Sequence, residues 1–273
     1  IFANSLFENI LRMLAAFQFY IGANGFILPG SVRKMLWGRS DLMVNTLRYF
    51  KSATSQHMRQ IMGSEYYPIS RQNRIPKRSD AVKCQTHISV VEEDCLSAVL
   101  RICDSCDDVP VLLNMANEYN CGGGFDYVVG SQEEYLFRST TLAASLWPHR
   151  RTGDNRWPEG SFLGRSDPYY PYSEMGAVYS PYVVVHTVQG RSLPLPHPIA
   201  VVSVAAQDLR QGREYNAGFR FDASLLVGKL RTVLHIALTH GHTAIVLGAL
   251  GCGAFRTPPD QVARAFALLL TEG

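Results

Sequence analysis

Two adjacent glutamates at the start of a predicted helix are the side chains in this sequence best suited to acid–base chemistry. Glu133 and Glu134 follow Gln132, and three consecutive glycines end at Gly124, on the other side of a short loop. Two acids in a first turn can also stabilise the helix through its macrodipole, without any catalytic role. A carboxyl group that is buried beside a ligand has a raised pKa, so it can donate a proton to a leaving oxygen.

Two glycine-rich segments follow predicted strands and could contact an anionic ligand. The first, residues 114–124, ends in Gly122-Gly123-Gly124, and the second is residues 248–255. Glycines let the backbone approach a ligand and present N–H groups to a phosphate or a sugar. A flexible loop also explains three glycines in a row. Ligands of open α/β sheets bind at the carboxyl ends of strands, so the two loops could clamp a diphosphate together.

Histidines and cysteines give no sign of a metal site. His235, His240 and His242 lie around a predicted helix end, without a converging group of cysteines or carboxylates. Cys103 and Cys106 form a single CxxC with no second pair. Cys252 has no histidine nearby in the sequence, so we interpret it as a small buried residue rather than a nucleophile. We therefore expect neither a metal nor a cofactor.

Alternating strands and helices after about residue 86 predict an α/β fold with helices on both faces of a parallel or mixed sheet. Asp94 and Asp222 are candidate N-caps, because a short carboxylate accepts the free N–H groups of a first helical turn. The predicted strands are 87–91, 109–113, 183–187, 199–204 and 244–248. The predicted helices are 95–105, 131–147, 222–240 and 258–270.

The chain divides into two regions by composition. Apolar residues at helical spacing dominate residues 1–62, and a basic, proline-containing stretch over 63–85 predicts a solvated loop. We therefore expect an N-terminal helical extension and linker over 1–80 and a catalytic domain over 81–273. A long loop rich in tyrosine, glycine and arginine is expected over 148–180, and loops of that length are usually functional or mobile.

Composition indicates which binding partners and which cellular compartment to expect. The 273 residues carry a net charge of only +3, so direct DNA or RNA binding is not expected. The apolar stretch 13–29 is short and contains polar residues, which favours a buried helix over a membrane span. Six cysteines without framework spacing indicate a reduced, intracellular protein, cytoplasmic or nuclear. We expect a monomer.

Taken jointly, the motifs resemble those of a known family. An asparagine before a glycine-rich loop, followed by GGG and then QEE, is similar to the microbial-type branch of the poly(ADP-ribose) glycohydrolases, in the macrodomain superfamily. The resemblance covers roughly residues 80–273 and implies a three-layer α/β/α macrodomain with a mixed central sheet. Further matching segments are residues 179–181, 201–206, 208–210 and 247–255.

The resemblance implies a role for each matching position. Glu134 would protonate the oxygen that leaves the anomeric carbon and then help to activate water, and Glu133 would hydrogen-bond the ribose hydroxyls. Asn117 and Phe255 would contact the distal ribose. Gln132 would also be a substrate-binding residue, and either Glu93 or Asp94 would bind adenine. The residues implied to hold the diphosphate through their backbone are Gly122, Gly123, Gly124, Gly251, Cys252, Gly253 and Ala254.

The implied activity is hydrolysis of the ribose–ribose bonds of poly(ADP-ribose), with release of ADP-ribose. Ala254 departs from the family pattern, in which a larger valine typically precedes the phenylalanine, and this leaves open whether only the ends of the polymer are accepted. One alternative is a hydrolase that removes single ADP-ribose groups from modified proteins. Another is a reader that binds ADP-ribose without cutting it, although a reader has no need of the Glu133–Glu134 pair.

Overall fold

The computed structural model describes residues 60–68, 86–105, 108–125, 130–154, 156, 168–210 and 220–271. The predicted helical region before residue 60 and most of the predicted linker lie outside these ranges, as does Cys106. Within them, no helix combines the length and the apolar character that crossing a membrane requires. The described histidines, cysteines and carboxylates form no cluster of three or more that could bind a metal ion.

One mixed sheet of five strands runs through the described part of the chain. The strands are β1 (Glu65–Tyr67), β2 (Val111–Ala116), β3 (Ala177–Val188), β4 (Arg191–Ala205) and β5 (Ile245–Val246). Their order across the sheet is β1-β3-β4-β2-β5. β2 is parallel to both β4 and β5, whereas β3 is antiparallel to β1 and β4. The carboxyl ends of β4, β2 and β5 therefore meet at one edge of the sheet.

Helices cover both faces of this sheet. They are α1 (Cys95–Cys103), α2 (Gln132–Ser139), α3 (Leu142–Leu146), α4 (Ala223–Thr239) and α5 (Pro259–Thr271), with a 3₁₀ turn over Trp147–His149. As predicted, the side chain of Asp94 caps α1 and that of Asp222 caps α4, each accepting two backbone N–H groups.

Two apolar cores lie between the layers, one on each face of the sheet. Leu113 and Val202 point from the sheet toward α4 and α5, and pack with Leu230 and Phe266. The neighbouring strand residues face the opposite way, toward α1, α2 and α3, where the core contains Leu96, Leu136 and Leu142. Alternation along each strand sends successive side chains to opposite faces. The three-layer α/β/α architecture is thus confirmed, with the macrodomain-like mixed sheet at its centre.

Three local predictions differ from the structure. Residues 87–91 do not form a strand; they are mostly exposed, and β2 already has β4 and β5 as its neighbours. The helix predicted over 131–147 is interrupted because Thr140 is extended and pairs with Val185 of β3. Within the predicted linker, residues 65–67 form β1, since backbone pairing with β3 outweighs the loop-like composition around them.

Candidate active site

Both glycine-rich loops leave the same edge of the sheet. The first loop, residues 117–125, follows β2, and the second loop, residues 247–255, follows β5. The side chain of Met115, near the end of β2, packs against Gly248 at the start of the second loop. The two loops are therefore neighbours at the carboxyl edge, which is where open α/β sheets bind their ligands.

Glu133 lies beneath the first loop with its carboxylate fully engaged. Its Oε2 accepts the N–H of Asn117 at 2.8 Å, and its Oε1 accepts the N–H of Gly122 at 3.1 Å. Only 2% of the residue is exposed. Burial raises the pKa of Glu133 well above its usual range, and the adjacent charge of Glu134 raises it further; the two N–H groups act in the opposite direction.

Glu134 is the second buried carboxyl group, with 5% of its surface exposed. Its Oε1 accepts the N–H of Gly124 at 2.9 Å, and its Oε2 accepts a hydrogen bond from the hydroxyl of Ser131. Ser131 is the N-cap residue of α2, but its hydroxyl makes no bond to the helix backbone. Both oxygens of this buried carboxyl group are therefore held by protein donors, one in the first loop and one at the start of α2.

Glycine is required in the first loop because of its backbone and its neighbours. Gly122 and Gly123 have φ angles of +74° and +56°, a conformation that residues with a Cβ rarely adopt. A Cβ on Gly123 would overlap Oε1 of Glu134, and a Cβ on Gly122 would overlap the ring of Phe137. The glycines thus allow the backbone to lie directly on α2.

The N–H groups of this loop point at protein atoms in the structure. Gly122 and Gly124 donate to the two glutamates, and Gly123 donates to the carbonyl oxygen of Asn120 at 2.8 Å. Direct contact of these N–H groups with a diphosphate stays a prediction. What the structure brings together is the glycine run and the glutamate pair.

Asn117 and Gln132 organise the backbone next to the two acids. Oδ1 of Asn117 accepts the N–H groups of Tyr119 and Asn120, which leaves its Nδ2 hydrogens outside this turn. The amide of Gln132 bonds to β2, with Oε1 accepting from Met115 N–H at 2.8 Å and Nε2 donating to Leu113 O at 2.6 Å. Gln132 thereby provides hydrogen-bond partners for backbone groups of β2 that lie beyond the end of the short β5.

The second loop is a tight turn at the edge of the sheet. Gly251 has φ of +80°, and a Cβ there would overlap Thr257. Cys252 is buried, and burial raises the pKa of its thiol to about 12, so it stays protonated and is a poor nucleophile.

The end of the second loop is more accessible. Ala254 is exposed, and Phe255 is partly buried, with the guanidinium of Arg210 lying 5.1 Å from the centre of its ring.

The two candidate adenine residues each have partners within the protein. Glu93 forms a salt bridge with Arg101 at 2.9 Å. Asp94 caps α1 and also accepts a hydrogen bond from Gln189 at 2.9 Å. They precede α1, with Asp94 as its N-cap, whereas the two glutamates lie in the first turn of α2. A contact from Tyr135 of α2 to Asp94, at 3.4 Å, connects the two helix starts.

Sequence reasoning missed an arginine that contacts the first loop from the other side. Arg156 lies in the long segment after α3 and donates hydrogen bonds to the carbonyl oxygens of Cys121 and Gly123. Asp154 holds it through a salt bridge of 2.8 Å. Neither residue belongs to a periodic pattern or to a motif. Their acid-x-arginine spacing inside the loop was the available signal, and it is common in any polar loop.

Comparison with protein families gives one match, which covers about half of the chain. Residues 46–187 match the model described as the catalytic domain of microbial-type PARG, that is, poly(ADP-ribose) glycohydrolase. This range contains the first loop, both glutamates and Arg156. No curated protein sequence matches the chain.

Several solved structures are similar over most of the chain. Poly(ADP-ribose) glycohydrolase from Thermomonospora curvata is 28% identical with a TM-score of 0.67, and the match covers 89% of this chain and 88% of that one. A second structure of that protein, bound to the inhibitor ADP-HPD, is 29% identical with a TM-score of 0.64 over the same shares. Poly(ADP-ribose) glycohydrolase from Deinococcus radiodurans in complex with ADP-ribose is 27% identical, with a TM-score of 0.61, covering 81% and 86%.

Proposed function

Because this chain belongs to the microbial-type poly(ADP-ribose) glycohydrolase family, we propose that it binds ADP-ribose units between its two loops and that Glu134 acts as the catalytic acid and base. The activity is hydrolysis of the ribose–ribose O-glycosidic bonds of poly(ADP-ribose), which releases ADP-ribose. The chain is accordingly an enzyme, and the alternative of a reader without hydrolytic activity is not favoured.

The proposed reaction needs one carboxyl group to act twice. Glu134 donates its proton to the oxygen that leaves the anomeric carbon, and the C–O bond breaks through an oxocarbenium-like transition state. A water molecule then adds to the anomeric carbon and gives a proton to the Glu134 carboxylate. This returns the side chain to its starting protonation state, and the net change is addition of one water molecule across the glycosidic bond.

The observation that best supports Glu134 in this role is its position against the first loop. Its carboxyl group is buried, one oxygen accepts the N–H of Gly124 at 2.9 Å, and the other accepts a hydrogen bond from the Ser131 hydroxyl. Such a group is fixed in orientation before substrate arrives, which lowers the cost of reaching the reactive geometry.

The other predicted contacts complete the proposed substrate site. Nδ2 of Asn117 is available to the distal ribose, because Oδ1 is used within its turn. Glu133 would fix the loop and meet the ribose hydroxyls. The second loop would bind the diphosphate through its backbone, with Phe255 against the distal ribose. Among the described residues, no acceptor lies against the N–H groups of Gly253 and Ala254, and N–H groups without a protein acceptor suit an anion.

Replacing one carboxyl group by an amide tests the assignment. We expect Glu134→Gln to lower the rate of ADP-ribose release from poly(ADP-ribose) by at least about 100-fold, since the amide has no acidic proton to donate. The affinity for ADP-ribose, measured by calorimetry, should stay within a few-fold. Mass spectrometry identifies the product.

A matched control removes a carboxylate far from the loops. Asp104→Asn changes an exposed side chain after the C-terminal end of α1, and it should leave turnover unchanged. Wild-type turnover in Glu134→Gln would refute the assignment of this residue.

A second substrate is compatible with one observation in the second loop. Ala254 is small and exposed where the family pattern has a larger residue, so a single ADP-ribose group on a protein side chain would also fit. Parallel assays with poly(ADP-ribose) and with mono-ADP-ribosylated protein separate the two substrates. Release from the polymer alone would dismiss the second one.

We also propose that the protein is an intracellular monomer without direct nucleic-acid contacts, as its cysteine pattern and low net charge suggest. The division into an extension over 1–80 and a catalytic domain over 81–273 stays a prediction. β1 supports one addition to it, namely that the extension contributes a strand to the sheet of the catalytic domain.

A further inference from the structure

Arg156 contacts the first loop on the face opposite to the two glutamates. Its Nη2 donates to the carbonyl oxygen of Cys121 at 2.8 Å, and its Nη1 donates to that of Gly123. These two carbonyls belong to the peptide groups that join Cys121 to Gly122 and Gly123 to Gly124. One planar guanidinium therefore holds two peptide groups of the loop, a geometry that its fixed fork of donors allows.

The same two peptide groups carry the N–H donors that bond to the glutamates. In a planar trans peptide, the C=O and N–H bonds point in opposite directions. With its carbonyl toward Arg156, the first peptide directs the Gly122 N–H to Oε1 of Glu133 at 3.1 Å. The second directs the Gly124 N–H to Oε1 of Glu134 at 2.9 Å. Each peptide thus connects the guanidinium to one carboxylate.

The guanidinium itself is held from two further directions. Asp154 binds it with two hydrogen bonds, at 2.9 Å to Nε and 2.8 Å to Nη2, and the Asp154 side chain is only 5% exposed. The rings of Phe125 and Trp147 lie against the guanidinium, with centres 5.0 and 5.7 Å from its central carbon. An arginine with this many contacts has little freedom to leave the two carbonyls.

From this geometry we infer that Arg156, oriented by Asp154, is a positioning residue for the two carboxyl groups of the active site, acting through the peptides 121–122 and 123–124. The inference rests on the proposed role of Glu134. A cation on a carbonyl polarises the peptide and strengthens its N–H as a donor. Arg156 thereby fixes the direction of both N–H groups, and with them the positions of Oε1 in Glu133 and in Glu134.

Arg156→Lys tests the inference, because lysine keeps the charge but lacks the planar fork that reaches both carbonyls. We expect kcat on poly(ADP-ribose) to fall by about 10-fold or more, since small displacements of catalytic groups have effects of that size. In the free enzyme, amide hydrogen exchange at Gly122 and Gly124, followed by NMR, should become faster. A structural role elsewhere in the fold would not move these two amides selectively.

Arg151→Lys is the matched control, because Arg151 is exposed in the same segment; its kcat and its exchange rates should equal those of the wild type. If Arg156→Lys behaves like this control, or lowers kcat without faster exchange at Gly122 and Gly124, the inference is wrong. Asp154→Asn provides a second route should Arg156→Lys fail to fold, and it should give the same two changes to a smaller extent. Wild-type kcat and wild-type exchange rates in Asp154→Asn would show that Asp154 is not needed to orient Arg156.

The two proposals can fail separately. Full activity of Glu134→Gln would refute the catalytic role of that residue, whatever the Arg156 variants do. An inactive Glu134→Gln together with a fully active Arg156→Lys would leave the catalytic role standing and overturn only the positioning role.

Discussion

At the scale of single residues, the active site depends on a backbone that touches carboxylates directly. Gly123 has φ of +56°, and the space where its Cβ would lie is occupied by Oε1 of Glu134, with Oε2 of Glu133 at 3.0 Å. Neither carboxylate can withdraw easily, because each accepts an N–H from a neighbouring glycine. Any side chain at this position must therefore displace the groups proposed for catalysis.

Gly123→Ala should reduce activity far more than its effect on stability alone would explain. We expect turnover to fall by about 100-fold, as displacement of a catalytic group by about 1 Å can do. The left-handed backbone should also lower the free energy of unfolding by about 1–2 kcal/mol. Steady-state kinetics and urea unfolding measure the two effects.

The matched control is Gly241→Ala, in the turn after α4. Gly241 has φ of +75°, but nothing lies within 4 Å of the position of a Cβ. This variant should lose comparable stability and keep wild-type turnover. Equal turnover in the two variants would contradict the proposed contact between Gly123 and the glutamates.

Among the individual residues, motif and spacing predicted the glycine run and the glutamate pair, and the structure brings these together. Arg156 could not be predicted, because the carbonyl oxygens that it contacts lie 33 residues or more away in the chain, and Asp154 matters only through its salt bridge to Arg156. A backbone carbonyl has no sequence signature. Contacts of this kind become visible only when the chain is folded.

At the scale of helices and strands, the predicted caps are among the features that local sequence determines well. The side chain of Asp222 accepts the N–H groups of Ser224 and Leu225 at the start of α4. A hydrogen bond from the Ser224 hydroxyl, followed by the backbone N–H bonds, lowers the pKa of Asp222 below its usual value. The ionised carboxylate is therefore the form that stabilises the helix.

Asp222→Ala should lower the free energy of unfolding by about 1 kcal/mol at pH 7. A depressed carboxyl pKa contributes stability above the unfolded value of about 4, and this contribution is lost as the pH falls through the folded value. The difference between the variant and the wild type should therefore shrink below pH 4. Urea unfolding at pH 7 and at pH 3 provides the comparison.

Asp222→Asn is the control for the cap, because asparagine is also a good N-cap but does not titrate. It should retain most of the stability at pH 7. A loss as large as that of Asp222→Ala would show that charge, rather than capping, stabilises the start of α4.

At the scale of the whole molecule, a buried histidine makes the fold sensitive to acid. His186 of β3 is 7% exposed, and its Nδ1 lies 2.9 Å from the hydroxyl of Thr187. Burial lowers its pKa to about 4, whereas a hydrogen bond with the Thr140 backbone acts in the opposite direction. The folded protein therefore holds this imidazole neutral at pH values where the unfolded chain is protonated.

Stability should fall as the pH drops from about 6.5, the unfolded pKa of histidine, to about 4. Over this range the unfolded state binds a proton that the folded state does not, and one histidine accounts for about 2–3 kcal/mol. His186→Gln should have a flatter stability profile between pH 7 and pH 4, as measured by urea unfolding. His87→Gln alters an exposed residue, and its stability profile should follow that of the wild type. If the profile of His186→Gln is as steep as that of the wild type, His186 is not the cause of the acid sensitivity.

By itself, the sequence determined the alternation of strands and helices, the caps at Asp94 and Asp222, and the order of glycine run and glutamate pair. These features depend on neighbours within a few residues, so periodicity and residue type suffice to predict them. The same local reasoning predicted a strand over 87–91 that does not form, because a strand depends on pairing with a distant segment, which the residues within 87–91 do not encode.

Tertiary structure alone decided the contacts between distant segments. It added β1 to the sheet by pairing Glu65–Tyr67 with β3, and it placed Arg156 against the carbonyls behind the glycine run. It also aimed both oxygens of Glu133 and one oxygen of Glu134 at particular N–H groups of the first loop. Such contacts arise when packing of the two cores brings remote backbone atoms within hydrogen-bonding distance, and no local pattern in the chain encodes that distance.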